Sequence, residues 1–191
     1  MPFEKFDVSK LERLNDEARF EALPPEVMWR ALGDPTPGTI VDIGAGTGLF
    51  SRRFAAMAPL ARVFAVDASP VMVGWMLEHL PDDLAGRVVP VLGAEALVPL
   101  ETASADLVVM IHVHHELAEP GATYREALRL LRPAGQILVV DWAPDGLPGG
   151  PPETVRASAV EIARMLAGAG FADVTTHPPL QRDSMITARR P

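Results

Sequence analysis

The 191-residue chain has no cysteine, so disulfides, thiolate metal sites and a cysteine nucleophile are excluded, and a cytoplasmic location is the expectation. Positive charge is scarce and scattered. Seventeen Lys and Arg stand against 25 Asp and Glu, a formal net charge of −8, and no basic cluster is longer than a pair. Phosphate backbones are held by concentrated positive faces, so nucleic acid is not an expected partner. No apolar run reaches the roughly 18 residues that span a bilayer, and the polar start Met1-Pro2-Phe3-Glu4-Lys5 does not read as a secretion signal. Internal repeats and low-complexity tails are missing as well. What remains is a 48% hydrophobic chain, long enough to build one domain with a sizeable core.

Hydrophobic periodicity divides that domain into three stretches. Residues 1–38 read as a helical extension. Val8 to Phe20 is charged, with apolar Leu11 and Leu14; Pro24-Pro25 breaks it, and a second helix runs from Glu26 to Leu32 and stops at Gly33. Through 39–142, short apolar runs alternate with helical patterns. Strands are expected at Thr39–Ile43, Arg62–Val66, Arg87–Leu92, Ala105–Met110 and Gln136–Val140. Helices are expected at Leu49–Ala58, from the N-cap Ser69 and Pro70 to Leu80, and at Ala122–Leu131, with Arg132-Pro133-Ala134-Gly135 as a stop signal. Residues 143–191 add a Pro/Gly loop, a helix over Glu153–Ala169 that buries Val155, Ala159, Ile162 and Leu166, and two last strands at 171–176 and Ser184–Ala188. Strands alternating with helices imply an α/β domain, a parallel sheet with right-handed crossovers and helices on both faces.

The segment Thr39 to Phe50 carries most of the functional information. A β-branched run ends in Asp42, then Gly44, Gly46 and Gly48 alternate with Ala45 and Thr47, and a helical pattern follows. That order describes a buried strand, a turn with almost no side chains, and a helix whose first amides point back at whatever the turn holds. The spacing is Gly-x-Gly-x-Gly rather than the Gly-x-Gly-x-x-Gly of dinucleotide folds, and no Gly-Lys-Ser/Thr follows. Asp42 would repel a pyrophosphate but suits a ligand that carries an ammonium group.

These residues resemble motif I of the class I S-adenosylmethionine-dependent methyltransferases, in particular small bacterial members of the UbiE-like, methyltransferase-11 type. The resemblance covers about residues 39 to 142. It includes Asp106 through Glu116, similar to motif IV, and Leu131 to Trp142, similar to the helix–turn–strand signature Leu-(Lys/Arg)-Pro-Gly-Gly, with Ala134 in place of the first glycine. It implies a Rossmann-like, seven-stranded, mostly parallel sheet whose last strand is antiparallel and lies beside the fifth. It further implies methyl transfer from S-adenosylmethionine, leaving S-adenosylhomocysteine, to a small-molecule acceptor. A second copy of the chain is the one protein partner considered.

Carried over residue by residue, the resemblance implies that Asp42, Gly44, Ala45, Gly46 and Gly48 seat the methionine portion. Asp67, 25 residues after Asp42 and followed by Ala68, falls close to the ~20-residue offset at which nucleotide folds place a ribose-binding acid. Ala94 and Glu95 would meet the adenine, although the family commonly has its acid where Ala94 stands. Met110 and Ile111 would lie against the methionine moiety, and His112, His115 and Trp142 would line the acceptor pocket. His115 and Asp141 are the candidate catalytic residues, with His115 as a general base if the acceptor must lose a proton. Leu14 and Arg19 would face the site from a helical lid. No metal is expected, because His112, His114, His115 and Glu116 are too close in sequence to converge on one ion. Each assignment has a plainer alternative: a helix-start charge for Asp67, a surface acid for Glu95, structural histidines, a hydrophobic plug for Trp142, a merely packed N-terminal helix. Arsenite methylation is rejected, since that chemistry relies on chain thiols. A non-catalytic S-adenosylmethionine-binding scaffold and a nicotinamide oxidoreductase are the competing functions.

Overall fold

The computed structural model describes residues 8–145 and 149–191. Two short helices, α1 (Val8–Leu14) and α2 (Arg19–Ala22), and then α3 (Pro25–Ala31) precede the sheet. The first expected helix is thus split. The backbone turns at 15–18, where the Asp16 carboxylate accepts from the Ala18 N–H at 2.9 Å, a local bond that competes with helix continuation. The core follows as β1 (Thr39–Ile43), α4 (Leu49–Met57), β2 (Arg62–Asp67), α5 (Pro70–His79), β3 (Val88–Leu92), β4 (Ala105–Ile111), α6 (Pro120–Leu130) and β5 (Leu131–Trp142). The chain closes with α7 (Ala159–Ala169), β6 (Ala172–Leu180) and β7 (Asp183–Arg189).

The seven strands form one sheet in the order β3-β2-β1-β4-β5-β7-β6. The first five pair in parallel, and β7 slots antiparallel between β5 and β6. Both faces are covered, so the central strands read as unbroken apolar runs rather than as an alternation. On one face Ile40, Leu107, Val109, Ile111 and Val140 meet Met28, Trp29, Phe50 and Phe54 from α3 and α4. On the other, Val41, Val108, Met110, Ile137 and Val139 meet Tyr124 and Leu130 of α6 and Ile162 and Leu166 of α7. Each such side chain contributes about 1.5–3 kcal/mol by leaving water, which makes this two-sided core the dominant stabilising term.

Two differences from expectation have a clear physical cause, one local and one set by strand pairing. The C-terminal helix starts at Ala159 rather than Glu153, because Ser158 and Glu161 close a capping box, while Val155 lies in a separate 3₁₀ turn and is 43% exposed instead of buried. Strand β5 begins already at Leu131, opposite Ala105, and the register then jumps so that Leu107 faces Gln136. The stop signal 132–135 is therefore a bulge inside the strand. A Cβ on Gly135 would sit 2.9 Å from the Arg132 carbonyl, and Ala134 takes φ 63°, a left-handed backbone that costs an L-residue roughly 1 kcal/mol. Ala134→Gly is accordingly expected to raise unfolding free energy by about 1 kcal/mol, read as a higher urea midpoint at unchanged slope.

Asp106 anchors the same end of the sheet. It accepts from the Gly38 and Thr39 N–H groups at 2.8 Å each and pairs with Arg132, which accounts for it as a structural residue. The chemistry-bearing residues collect at the opposite rim. There β1, β2, β4 and β5 end, and β7, running the other way, begins with Asp183 opposite Trp142.

Candidate active site

At the end of β1 the chain turns through Gly44 (φ 74°) and Gly46 (φ 57°). A side chain on Gly44 is sterically impossible without displacing Val113, whose Cγ2 lies 2.0 Å from where the Cβ would be, whereas nothing lies within 4 Å of the corresponding point on Gly46. Gly44 thus locks the turn to the segment after β4, and Gly46 offers bare backbone to an incoming molecule. The N–H groups of Gly44 and Ala45 both donate to the Val66 carbonyl (2.8 and 3.0 Å), and that of Gly46 donates to Asp67 Oδ2 (2.8 Å). The turn is consequently tied down before any ligand arrives.

Two carboxylates flank it. Asp42 is sealed beneath the turn, 2% exposed, with the Ser51 hydroxyl donating to Oδ2 at 2.6 Å. Burial pushes its pKa up to about 7; the Ser51 bond and Arg19 oppose that rise, while the charge on Asp67 adds to it. Asp67 stands half-buried at the tip of β2, and its second oxygen accepts from the Ser69 N–H at 2.9 Å. Ser69 occupies the N-cap position of α5 but its side chain makes no capping bond, contrary to expectation, and Asp67 ties the residue before that helix to the glycine turn. Ala68 is exposed beside it. Beyond β3, the Ala94 N–H donates to the Leu97 carbonyl at 2.8 Å, and Glu95 Oε1 accepts from the Glu119 N–H at 2.9 Å, at the start of α6.

The segment after β4 supplies the histidines. His112 Nε2 donates to Asp183 Oδ1 at 2.7 Å, and its ring stacks on Trp142 with centroids 4.9 Å apart. His114 is buried, flat against Tyr124 with a 2.7 Å bond between the hydroxyl and Nδ1, and burial lowers its pKa. His115 Nδ1 donates to Asp141 Oδ1 at 2.8 Å. Burial alone would lower the His115 pKa, but the Asp141 bond and charge, with Glu116 and Asp183 adding to them, raise it above the ordinary value. Asp141 itself is fully enclosed and also accepts from the His114 and Trp142 N–H groups. Over the top lies the N-terminal segment. Phe20 meets Phe50 edge-on at 5.4 Å, and Arg19 sits 5.3 Å above the same ring while donating to the Leu14 carbonyl. Burial lowers the Arg19 pKa, and the charges of Asp183 on the histidine side and Asp42 under the turn oppose that fall.

A family model described as a methyltransferase domain matches residues 41–139, more than half of the chain. The chain belongs to that family. It is 37% identical over 102 residues to a malonyl-[acyl-carrier protein] O-methyltransferase of Hahella chejuensis, covering 53% of this chain and 36% of the relative. It is 30% identical over 120 residues to the ubiquinone/menaquinone biosynthesis C-methyltransferase UbiE of a Caulobacter species, covering 58% and 46%. The chain thus spans less than half the length of these two relatives. A crystal structure of an S-adenosylmethionine-dependent methyltransferase from Aquifex aeolicus superposes with a TM-score of 0.88 at 26% identity, covering 98% of this chain and 100% of that one. The Rossmann-like class I fold and an S-adenosylmethionine-dependent methyltransferase domain follow from these matches. No helix among the described residues is long and apolar enough to cross a membrane.

Within this methyltransferase domain, the structure brings Asp42, Gly44, Ala45, Gly46, Asp67, His112, His115, Asp141 and Trp142 to one rim, with Arg19 above them. Gly48 serves as the left-handed start of α4. Met110 is fully enclosed among the side chains under α6 and α7, and Ile111 lies in the opposite core. Their side chains therefore pack the sheet rather than line an open cleft. No group of three or more His, Asp or Glu among the described residues could hold a metal ion. Two participants, Asp183 and Ser51, escaped the sequence reading, and so did the packing of Val113 over Gly44. Ser51 alone left a local signal, one helix position that is polar on an otherwise apolar face. Asp183 and Val113 become visible only once β7 pairs with β5 and β4 lies beside β1.

Proposed function

We propose that the protein binds S-adenosylmethionine across the ends of β1 and β2 and methylates a small-molecule acceptor held between that cofactor and the histidines after β4. The donor set fits the cofactor. Gly46 leaves open space where a side chain would otherwise stand. Asp42 is a buried carboxylate that a positively charged ligand would favour, and Asp67 is a half-exposed carboxylate suited to a vicinal diol. In this reading Asp42 and the turn 44–48 hold the methionine portion, Asp67 and Ala68 the ribose, and Ala94 and Glu95 the adenine edge. When bound, the cofactor supplies a methyl carbon already activated by its sulfonium sulfur.

The chain's own work is then alignment and water exclusion, worth up to ~7–11 kcal/mol when geometry is held well. The observation that carries the proposal is the packing of Val113 into the space over Gly44, which fixes His112 and His115 relative to the cofactor turn. His115, oriented by Asp141, is placed to take a proton from the acceptor. Trp142 forms the wall, and Leu14 and Arg19 cover the site. Calorimetric titration is expected to give micromolar affinity for S-adenosylmethionine, about −8 kcal/mol, and Asp67→Ala should weaken it at least tenfold. Equal binding by the variant would displace the ribose from Asp67. Transfer of labelled methyl groups into a cell extract then separates an enzyme from a pure binder, which would show affinity without product.

A further inference from the structure

Two imidazoles, not one, are backed by buried carboxylates at this rim. Asp141 is fully enclosed and Asp183 is 3% exposed, and they accept from His115 Nδ1 and His112 Nε2 at 2.8 and 2.7 Å. Each bond fixes which ring nitrogen carries the proton, leaving the lone pair on the other: Nε2 of His115 and Nδ1 of His112. The nearest charged group to His115 Nε2 is Glu116 at 3.8 Å, too far for a hydrogen bond. His112 makes no other side-chain hydrogen bond among the described residues. The rings stand 6.4 Å apart at 76°, and both side chains keep a little exposure, 15% and 11%.

His112 also holds φ 57°, a backbone state that Asn or Gly would adopt at less cost, and its amide bond to the Val140 carbonyl and the stacking on Trp142 keep it there. Strain maintained by this many contacts marks a side chain whose position matters. Resting on the methyltransferase reading above, we propose that His112 and His115 read the acceptor together. The acceptor is a small dihydroxy compound, a diphenol or enediol, that presents the reacting hydroxyl to His115 and a second hydroxyl to His112, which Asp183 positions.

The hydroxyl proton passes to His115 Nε2 as the oxygen–methyl bond forms and the sulfur–methyl bond breaks, so the positive charge of the sulfonium ends on the imidazole. Two lone pairs backed by carboxylates call for donors. A carboxylate acceptor has no proton to give at neutral pH, and its charge would approach the carboxylates of Asp141 and Asp183 that back the two rings.

The test uses the full chain, S-adenosylmethionine labelled on the methyl group, and four probes: pyrocatechol, hydroquinone, phenol and benzoate. The better of the two dihydroxy probes is expected to exceed phenol at least tenfold in kcat/KM, with no product from benzoate. His112→Asn keeps a residue that tolerates the left-handed backbone and removes the imidazole; it should bring the dihydroxy-to-phenol ratio below threefold, through KM. Asp183→Asn should raise KM for the dihydroxy probe three- to tenfold. Phenol used as well as the diphenols by the wild type, an equal loss on all probes in His112→Asn, or no product from any probe by protein that binds S-adenosylhomocysteine overturns the proposal. Failure to bind S-adenosylhomocysteine overturns the methyltransferase reading instead.

Discussion

Asp42→Asn is expected to give a protein that is more stable without ligand and nearly unable to bind S-adenosylmethionine. The free protein holds this carboxyl's proton up to about pH 7, whereas the unfolded chain releases it near pH 4. Between those values the native state binds more protons than the unfolded one, so stability falls as pH rises, by a total of up to about 4 kcal/mol once Asp42 is ionised. Asparagine can still accept from Ser51 and never ionises. The variant should therefore gain up to about 4 kcal/mol at pH 8 and little at pH 4, measured by urea unfolding at both values. The same ionisation attracts the cationic cofactor, and its loss should weaken binding about 100-fold, or about 2.7 kcal/mol. In the wild type, affinity should drop as pH falls below 7, because a proton must leave Asp42 on binding. An Asn variant that binds normally would show that the carboxylate does not face the ligand's charge.

The second large effect concerns His115. If it takes a proton from the acceptor, His115→Ala should lower kcat by 10²–10⁴-fold while the affinity for S-adenosylhomocysteine stays within twofold. The pH profile supplies the sharper test. A base works only when neutral, so kcat/KM should rise with pH through a midpoint above the ordinary histidine value, since the Asp141 bond and neighbouring carboxylates outweigh the downward pull of burial. Asp141→Asn removes that charge and should move the acidic limb to lower pH. It should also cost about 1–3 kcal/mol of stability, because the Asp141 carboxylate serves three N–H donors inside the core. A profile flat from pH 6 to 8 in the wild type would leave His115 without a proton to carry.

Most of the architecture was readable from the chain, because strand and helix signals in 39–142 are local. Thr39–Ile43 is the expected strand to the residue, and Pro70 marks the start of α5 where an N1 proline should. Features decided by distant contacts were not readable. The bulge at 132–135 arises because β5 must pair with both Ala105 and Leu107, so a segment that reads as a helix stop continues as strand. The missing Ser69 cap was not readable either, since no propensity shows that Asp67 would bond the Ser69 N–H while the hydroxyl stays out of the helix start. In the candidate site, the glycine turn and the two acids at strand ends stand out by order and spacing, and His115 by the family resemblance alone. Asp183, 71 residues from its partner His112, could not, since nothing in Gln181-Arg182-Asp183 marks an inward-facing acid.

Strand β7 points against its neighbours, and this has an evolutionary consequence. A parallel strand would bring its last residue to the working rim, after a helix that the fold requires; an antiparallel one brings its first, straight from the short connection at Gln181 and Arg182. On the proposed placement of donor and acceptor, insertions or deletions in that connection would reshape the acceptor side of the cleft while leaving the glycine turn and its two acids untouched. One scaffold can in this way exchange methyl acceptors without renegotiating its grip on the donor.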